Sequence, residues 1–344
     1  MPWTKLVADQ RRNFEPVGGG GCDRVLTYGE AISEAMEQAM EIDPRVIILG
    51  EGVSQPGFIY NTTRSICKRY GTKRVIETPI AEAALTGVTL GASLAGLRPV
   101  LIHMRCDFLL VSMDQIINHI AHWKRVFGND TPLVIRAVIA RGWGSGAQHS
   151  QSFHSLFASF EGLEVLMPAT PYDIKGLFLS AVASPKPVLF LEHRWLYGDR
   201  DYVPRGTYLV PLGKAVLREE GSDITLIGMS LTNRDIYMAR EKLKSERIFA
   251  DWIDLRSINP IDLDTIYSSV AKTGRLLIVE NGPVCCGIGA EIASRVMENC
   301  WDFLKTPVQR IGWPSATVPA GPELERQFYP GVDQILTTIR KMVT

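Results

Sequence analysis

Val46-Ile47-Ile48-Leu49-Gly50-Glu51-Gly52 decides how this chain is read. Four apolar residues in a row, with no polar alternation, mark a strand covered on both faces, as in a parallel sheet. Gly-Glu-Gly directly behind them marks a turn at the strand's carboxyl end. Upstream, Thr27 and Glu30 form a capping box, and Ala31, Ile32, Ala35, Met36 and Ala39 follow at helical spacing until Pro44 stops the helix. Downstream, similar apolar runs recur at Val75-Ile76, Val100-Leu101-Ile102, Leu133-Val134-Ile135, Val165-Leu166 and Val188-Leu189-Phe190-Leu191. Helix-like stretches separate most of them. Strand–helix alternation of this kind predicts an α/β fold with a parallel sheet and helices on both faces.

The rhythm breaks over 194–221, which is polar, irregular and marked by Gly198, Pro204, Gly206, Pro211 and Gly213. It resumes at Asp223–Ile227, with a helix near 233–245, a strand before Asp254, a helix near 263–272, the strand Leu276–Val279 and a helix from about 287. The reading is therefore two α/β domains, 26–200 and 222–344, joined by a linker at 201–221, which suits a chain of 344 residues. Residues 1–25 read as a mobile arm that includes the tetraglycine Gly18–Gly21. Lys+Arg and Asp+Glu both total 37, so the formal net charge is zero, and no basic run argues for nucleic acid. No apolar stretch is long enough to cross a membrane. The arm has no apolar signal core and carries Asp9, Glu15 and Asp23, which suits neither a secretory nor a transit peptide, so the expected location is cytoplasmic.

In open α/β sheets ligands bind beyond the carboxyl ends of the strands, so the residues behind each strand are the candidates for chemistry. They are Glu51; the segment Glu77-Thr78-Pro79-Ile80-Ala81-Glu82, which opens a helix rich in Gly and Ala; Arg105-Cys106-Asp107-Phe108; and the loop Arg141-Gly142-Trp143 through Gln148-His149-Ser150-Gln151. Glu82 lies in the first helical turn, where the helix dipole favours a carboxylate, and from spacing alone it reads first as a helix-end charge. His149 reads as an acid–base group or as plain loop surface. Gly287-Ile288-Gly289 lacks the third small residue of a dinucleotide fingerprint and reads as a tight strand-to-helix turn. No P-loop, EF-hand or nucleophile-elbow motif is present. None of the six cysteines forms a CxxC pair, and the adjacent Cys285 and Cys286 read as free, buried thiols in a reducing compartment.

Taken in order, these segments resemble the β subunit of the E1 component of thiamine-diphosphate-dependent 2-oxoacid dehydrogenases, of the pyruvate and branched-chain type. The likeness rests on LTYGEAISEAMEQAMEIDPRVIILGEG (26–52), TPIAEAALTGVTLGASLAGLRP (78–99), MDQIIN (113–118), QHSQ (148–151), PATPYDIKGLFLS (168–180), IDLRSINP (253–260), TGRLLIVENGPVCCGIGAE (273–291) and the closing 319–334 stretch. It implies a pyrimidine-binding parallel-sheet domain followed by a transketolase C-terminal α/β domain. It implies that Glu82 holds N1′ of the aminopyrimidine and so favours the 4′-imino tautomer that takes the C2 proton. Phe108 would pack on the pyrimidine face and Ile80 line the same pocket. His149 would stand near the reacting carbon, and Glu51 would join a proton relay between sites. Arg141, Trp143 and Gln148 would shape the substrate pocket.

The family's GDG…N segment for the diphosphate and Mg2+ is missing from the sequence. The resemblance therefore implies that these ligands come from an α subunit, in an α2β2 assembly, with no metal ligand in this chain. Pro185 and Lys186 replace the residues typical of the family's structural potassium loop, and a nearby ammonium disfavours a bound cation. The implied activity is decarboxylation of a pyruvate-like 2-oxoacid and transfer of the acyl unit to an acceptor, a lipoyl group carried by an E2 protein. The unusual 141–143 loop motivates an alternative, carboligation of a two-carbon acyl unit onto a ketone such as a sugar nucleotide or a biosynthetic intermediate. A third reading is a non-catalytic scaffold subunit.

Overall fold

A computed structural model describes residues 24–140 and 144–344. In the first half, β1 (Val25–Thr27) leads into helix α1 (Tyr28–Ile42), whose capping box is formed as expected: Thr27 Oγ1 accepts from Glu30 N, and Glu30 returns the bond to Thr27 N. Then follow β2 (Val46–Gly50), α2 (Arg64–Tyr70), β3 (Val75–Glu77), α3 (Glu82–Leu94) and β4 (Arg98–His103). A 3-10 segment, Cys106–Ser112, runs into a π-helical stretch, Asp114–Ala121, and α4 (Trp123–Phe127). The half closes with β5 (Val134–Ile139), α5 (His154–Ala158), β6 (Glu164–Leu166), α6 (Pro171–Ala183), β7 (Val188–His193) and β8 (Arg200–Tyr202).

The main sheet has the order β6-β7-β5-β4-β2-β3, parallel throughout. Strand β5 is covered on both faces, and its one polar residue, Arg136, is buried against Glu192. Val134 and Val138 join the core under α1 and α6, while Ile135, Ala137 and Ile139 join the opposite core with Leu90 of α3 and Leu109. The chain steps from β2 to β3 on one side, then crosses to β4 on the other. The direction of winding reverses between β2 and β4, which opens a crevice at their carboxyl ends.

The second half holds β9 (Val216–Glu219), β10 (Ile224–Gly228), α7 (Thr232–Leu243), β11 (Ala250–Asp254), β12 (Ser257–Asn259), α8 (Leu263–Thr273), β13 (Leu276–Pro283), α9 (Ile288–Cys300), β14 (Gln309–Trp313), α10 (Pro322–Phe328) and α11 (Val332–Val343). Its sheet runs β14-β13-β10-β11-β9, with only β9 antiparallel.

The halves are interlocked. β12 comes from the second half but pairs antiparallel with β6 of the first sheet. One apolar cluster runs from Ile135 and Leu189 through to Ile227, Ile253 and Ile278. Asp173, in the first turn of α6, meets Arg256 at 3.1 Å and also Arg218, which in turn meets Asp254 at 2.7 Å; all four side chains are buried. The stretch expected as a linker, 201–221, is packed rather than loose. Val203, Tyr208 and Val210 are buried, Tyr208 stacks on Tyr172 at 4.5 Å, and Val216–Glu219 is a strand of the second sheet. Its glycines and prolines shape a fixed path, and their composition alone resembles a linker's.

One cysteine reading is corrected. Cys106 and Cys300 are buried, but Cys285 and Cys286 are exposed, with sulfurs 3.9 Å apart and no bond between them. They sit on the turn between β13 and α9, and the space beneath that turn is taken by the buried Glu280 side chain. Cys22 lies outside the described residues.

Candidate active site

The crevice at the carboxyl ends of β2 and β4 is built from the strands outward. Gly50 ends β2 with φ of +154°, and a Cβ there would stand 2.5 Å from Ile102 O on β4. Glycine is therefore what lets the two strands close up before the chain turns to present Glu51. That turn is held by Glu77, the last residue of β3. Its carboxylate accepts from Gly52 N at 2.6 Å, Ser54 N at 2.8 Å and Ser54 Oγ at 2.7 Å. Partial burial pushes the Glu77 pKa up, but these hydrogen bonds outweigh it and the net shift is downward.

Glu82 opens α3 in a first turn that has no side-chain cap, so its carboxylate sits at an open helix N-terminus. It stands within electrostatic reach of Glu51. Burial first, then the charges of Glu82 and Glu77, raise the Glu51 pKa above the ordinary carboxylate value. Glu51 and Glu82 thus form a pair of neighbouring carboxyls in which burial and like charge make a proton easier to hold on Glu51.

The other wall of the crevice comes from the segment behind β4. Phe108 is half-buried, and its ring meets His149 edge to face, with centroids 5.5 Å apart and planes at 86°. The loop bearing His149 is stitched down at its end. Asp107 Oδ1 accepts from Gln151 N at 3.2 Å, while Gln151 O accepts from Cys106 Sγ at 2.9 Å and from Ala140 N at 2.9 Å. Asp107 is buried, and that burial raises its pKa. The second half of the chain holds the same loop from behind. Gly144 N donates to Glu325 Oε2 at 2.6 Å, Ser145 bridges to Ala320, and Ser155 Oγ accepts from Ile288 N at 2.9 Å. His154, the other histidine of this region, is fully buried. Its Nδ1 bonds Ser152 Oγ at 2.9 Å, and burial lowers its pKa to about 4, so it is a neutral structural residue.

The structure thus brings Glu51 and Glu82 together, and Phe108 and His149 together, along one sheet edge. Gln148 is exposed beside His149. Ile80 is 80% exposed at the lip of the crevice and encloses nothing within this chain. Arg141 and Trp143 lie outside the described residues. Lys186 places its ammonium 3.4 Å from Glu164, on the far side of the sheet from the crevice mouth. The reading by residue type gave no role to Glu77, Asp107 and Glu325. The first two stand directly behind strands and could have been singled out by position. Glu325 is some 180 residues from its partner and leaves no local trace.

The Gly287-x-Gly289 motif also acquires a physical cause. A Cβ on either glycine would strike the carboxyl oxygens of Glu280 on β13, so the two glycines make room for a buried acid and not for a nucleotide.

Comparison with known proteins identifies the two domains. Residues 24–200 match the family described as the transketolase pyrimidine binding domain, and 213–335 match the transketolase C-terminal domain. The β subunit of acetoin:2,6-dichlorophenolindophenol oxidoreductase from Cupriavidus necator is 36% identical, over 92% of this chain and 97% of its own length. The β subunit of 2-oxoisovalerate dehydrogenase from Bacillus subtilis is 36% identical over 92% and 98%. The pyruvate dehydrogenase E1 component subunit beta-1 from Arabidopsis thaliana is 37% identical over 92% and 89%. A solved structure described as a split gene transketolase, inactive beta4 tetramer, superposes with a TM-score of 0.78 at 21% identity, covering 92% of this chain and 98% of that one; it speaks for the fold alone.

Proposed function

The chain belongs to the transketolase-like family of E1 β subunits of thiamine-diphosphate-dependent 2-oxoacid dehydrogenases, and from that premise we propose that the crevice between β2 and β4 is the aminopyrimidine half of its cofactor site. The observation that carries the reading is the pairing of two linked carboxylates, Glu51 and Glu82, with the Phe108–His149 ring contact on the same sheet edge.

The donor set suits an aminopyrimidine. Glu82, at an uncapped helix start, is placed to hold a proton at N1′. Phe108 offers an apolar ring to the pyrimidine face and keeps water from it. Glu51, whose pKa is raised by burial and by the neighbouring carboxylates, is placed to relay the proton that Glu82 takes up or gives away. His149, braced by Phe108 and by its stitched loop, presents an imidazole to the reacting carbonyl. Thiamine diphosphate, when bound, supplies the electron sink that lets a 2-oxoacid lose CO2. The diphosphate and its Mg2+ fall to an α subunit carrying the GDG…N segment, in a heterotetramer, with 26–200 and 222–344 as the two domains of this chain. The net reaction joins a 2-oxoacid to an oxidised lipoyl group, releases CO2, and leaves an acyl thioester beside a free thiol.

The test uses the reconstituted α/β complex with thiamine diphosphate and Mg2+. Glu82→Gln should lower turnover at least about 100-fold. His149→Ala should keep cofactor affinity and slow acyl transfer to a lipoyl protein. Near wild-type turnover in Glu82→Gln would remove the assignment. Equal loss of cofactor binding in His149→Ala would make that histidine structural.

A further inference from the structure

Arg105 stands two residues beyond β4, three before Phe108, and no step described above uses it. Its neighbours in the fold make it unusual. Three buried arginines are paired with carboxylates: Arg136 with Glu192, Arg218 with Asp173 and Asp254, and Arg256 with Asp173. Arg105 is not. Its Nη1 is buried and makes no hydrogen bond, and its guanidinium has no ion pair among the described residues. It lines a cavity of about 490 Å3 whose other walls are Pro56, Gly57, Ile59, Tyr60, Met104 and Val138. Apart from Arg105 and the Tyr60 hydroxyl, that lining is apolar or backbone. The charged and titratable groups that feel Arg105 are Cys106, Asp107 and Tyr60. Asp107 already accepts from the Gln151 amide.

An unpaired guanidinium in an apolar cavity next to a reaction centre calls for an anion from outside. The cavity volume falls within the range of small-molecule sites. Glu51, Glu82, Phe108 and His149 do not line it; it lies at the carboxyl ends of β2, β4 and β5, the same end of the sheet that carries them. The carboxylate that leaves as CO2 is a poor match for Arg105. Pairing it there would stabilise the ground state and not the transition state in which its charge is lost. Arg105 is suited to an anion that stays on the substrate. One guanidinium balances one carboxylate charge and offers it a bidentate fork, whereas a phosphate dianion would call for a second cation or a run of amides.

We propose that Arg105 and its cavity form a specificity subsite for a second, retained carboxylate on the 2-oxoacid, with Ile59, Met104 and Val138 taking the methylene stem between the two acid groups. This rests on the proposed 2-oxoacid activity and narrows its substrate class to dicarboxylic donors.

The experiment compares 2-oxoadipate with 2-oxohexanoate, equal in chain length and different in the terminal carboxylate. The assembled holoenzyme is used as wild type, Arg105→Met and Arg105→Lys. Binding is measured by calorimetry. Turnover is measured as CO2 release with 2,6-dichlorophenolindophenol, where the 2-oxoacid and water give the shorter acid and CO2 while the dye takes two electrons and two protons. The wild type should favour 2-oxoadipate in both affinity and kcat/KM. Arg105→Met should reduce that preference about 10- to 100-fold, through KM, and Arg105→Lys should retain part of it. Preference is a ratio on one preparation, so a partly misfolded variant does not distort it. Equal wild-type affinity for the two acids, or a loss in Arg105→Met that is the same for both, would overturn the subsite while leaving the activity standing. Selective binding of 2-oxoadipate without CO2 release would support the subsite and overturn the activity.

Discussion

Replacing Glu280 by Gln should make the protein more stable above neutral pH. Glu280 lies on β13, 1% exposed, beneath the start of α9, and neither carboxyl oxygen has a well-aligned hydrogen-bond partner. Burial raises its pKa from the ordinary 4.5 to about 7; the Gly289 and Ile288 amides and Arg310 oppose the burial without cancelling it. A carboxyl whose folded pKa is raised prefers its protonated form in the fold. Its unfolded counterpart loses the proton near 4.5, so folding is least penalised below that pH, and stability falls as pH rises through about 7. At roughly 1.4 kcal/mol per pH unit, the gap amounts to ~3 kcal/mol at pH 8.5. Glutamine is neutral, nearly the same size, and free of this penalty. Urea unfolding of wild type and Glu280→Gln, followed by circular dichroism at pH 5 and pH 8.5, checks the reasoning. The two should be close at pH 5, and the variant should be ahead by ~2–3 kcal/mol at pH 8.5. A Glu280→Gln protein that is no more stable at pH 8.5, or that follows the wild-type pH curve in parallel, would show that the α9 N-terminus holds Glu280 as an anion.

Two further outcomes follow from bonds that join distant parts of the chain. Asp173 is held ionised, with a pKa lowered to about 2, because the Arg218 and Arg256 charges and hydrogen bonds outweigh its burial. Asp173→Ala would leave two buried guanidinium groups short of a partner between the domains and should cost about 3–5 kcal/mol in urea unfolding; a loss under about 1 kcal/mol would mean that the cluster relaxes into water. Glu77→Ala removes the acceptor for three short hydrogen bonds on an exposed turn, worth about 1–2 kcal/mol together. Amide exchange over 50–56 should accelerate by about tenfold and turnover should fall with it, whereas unchanged exchange would separate Glu77 from the Glu51 turn.

Much of the site was legible because its parts are local. The apolar runs at 46–49, 100–102 and 188–191 had to be doubly covered strands, and Thr27 with Glu30 had to start a helix, since both follow from steric and hydrogen-bonding rules that act within a few residues. Strand ends placed Glu51, Glu82, Phe108 and His149 among the candidates by position. Their roles needed the family resemblance, because a helix-start carboxylate and a loop histidine carry no chemical signal in their spacing. The linker reading of 201–221 failed in its middle for a different reason: Gly and Pro report a bent path, and whether that path is packed depends on Tyr172 and Gly176, which lie outside it.

The sequence by itself determined the class of fold, the order of its strands along the chain and the residue types standing at their carboxyl ends. These depend on backbone sterics and on which side chains avoid water. Only the tertiary structure decided which strand ends adjoin, and so put Glu51 beside Glu82 and Phe108 against His149. Only it showed that Glu325 and Ser155 clamp the histidine loop between two domains, that Gly287 and Gly289 shelter a buried acid, and that the half-buried Arg105 has no ion pair among the described residues. Hydrogen bonds and charge interactions act over a few ångströms in space and ignore distance along the chain, so no local pattern records them.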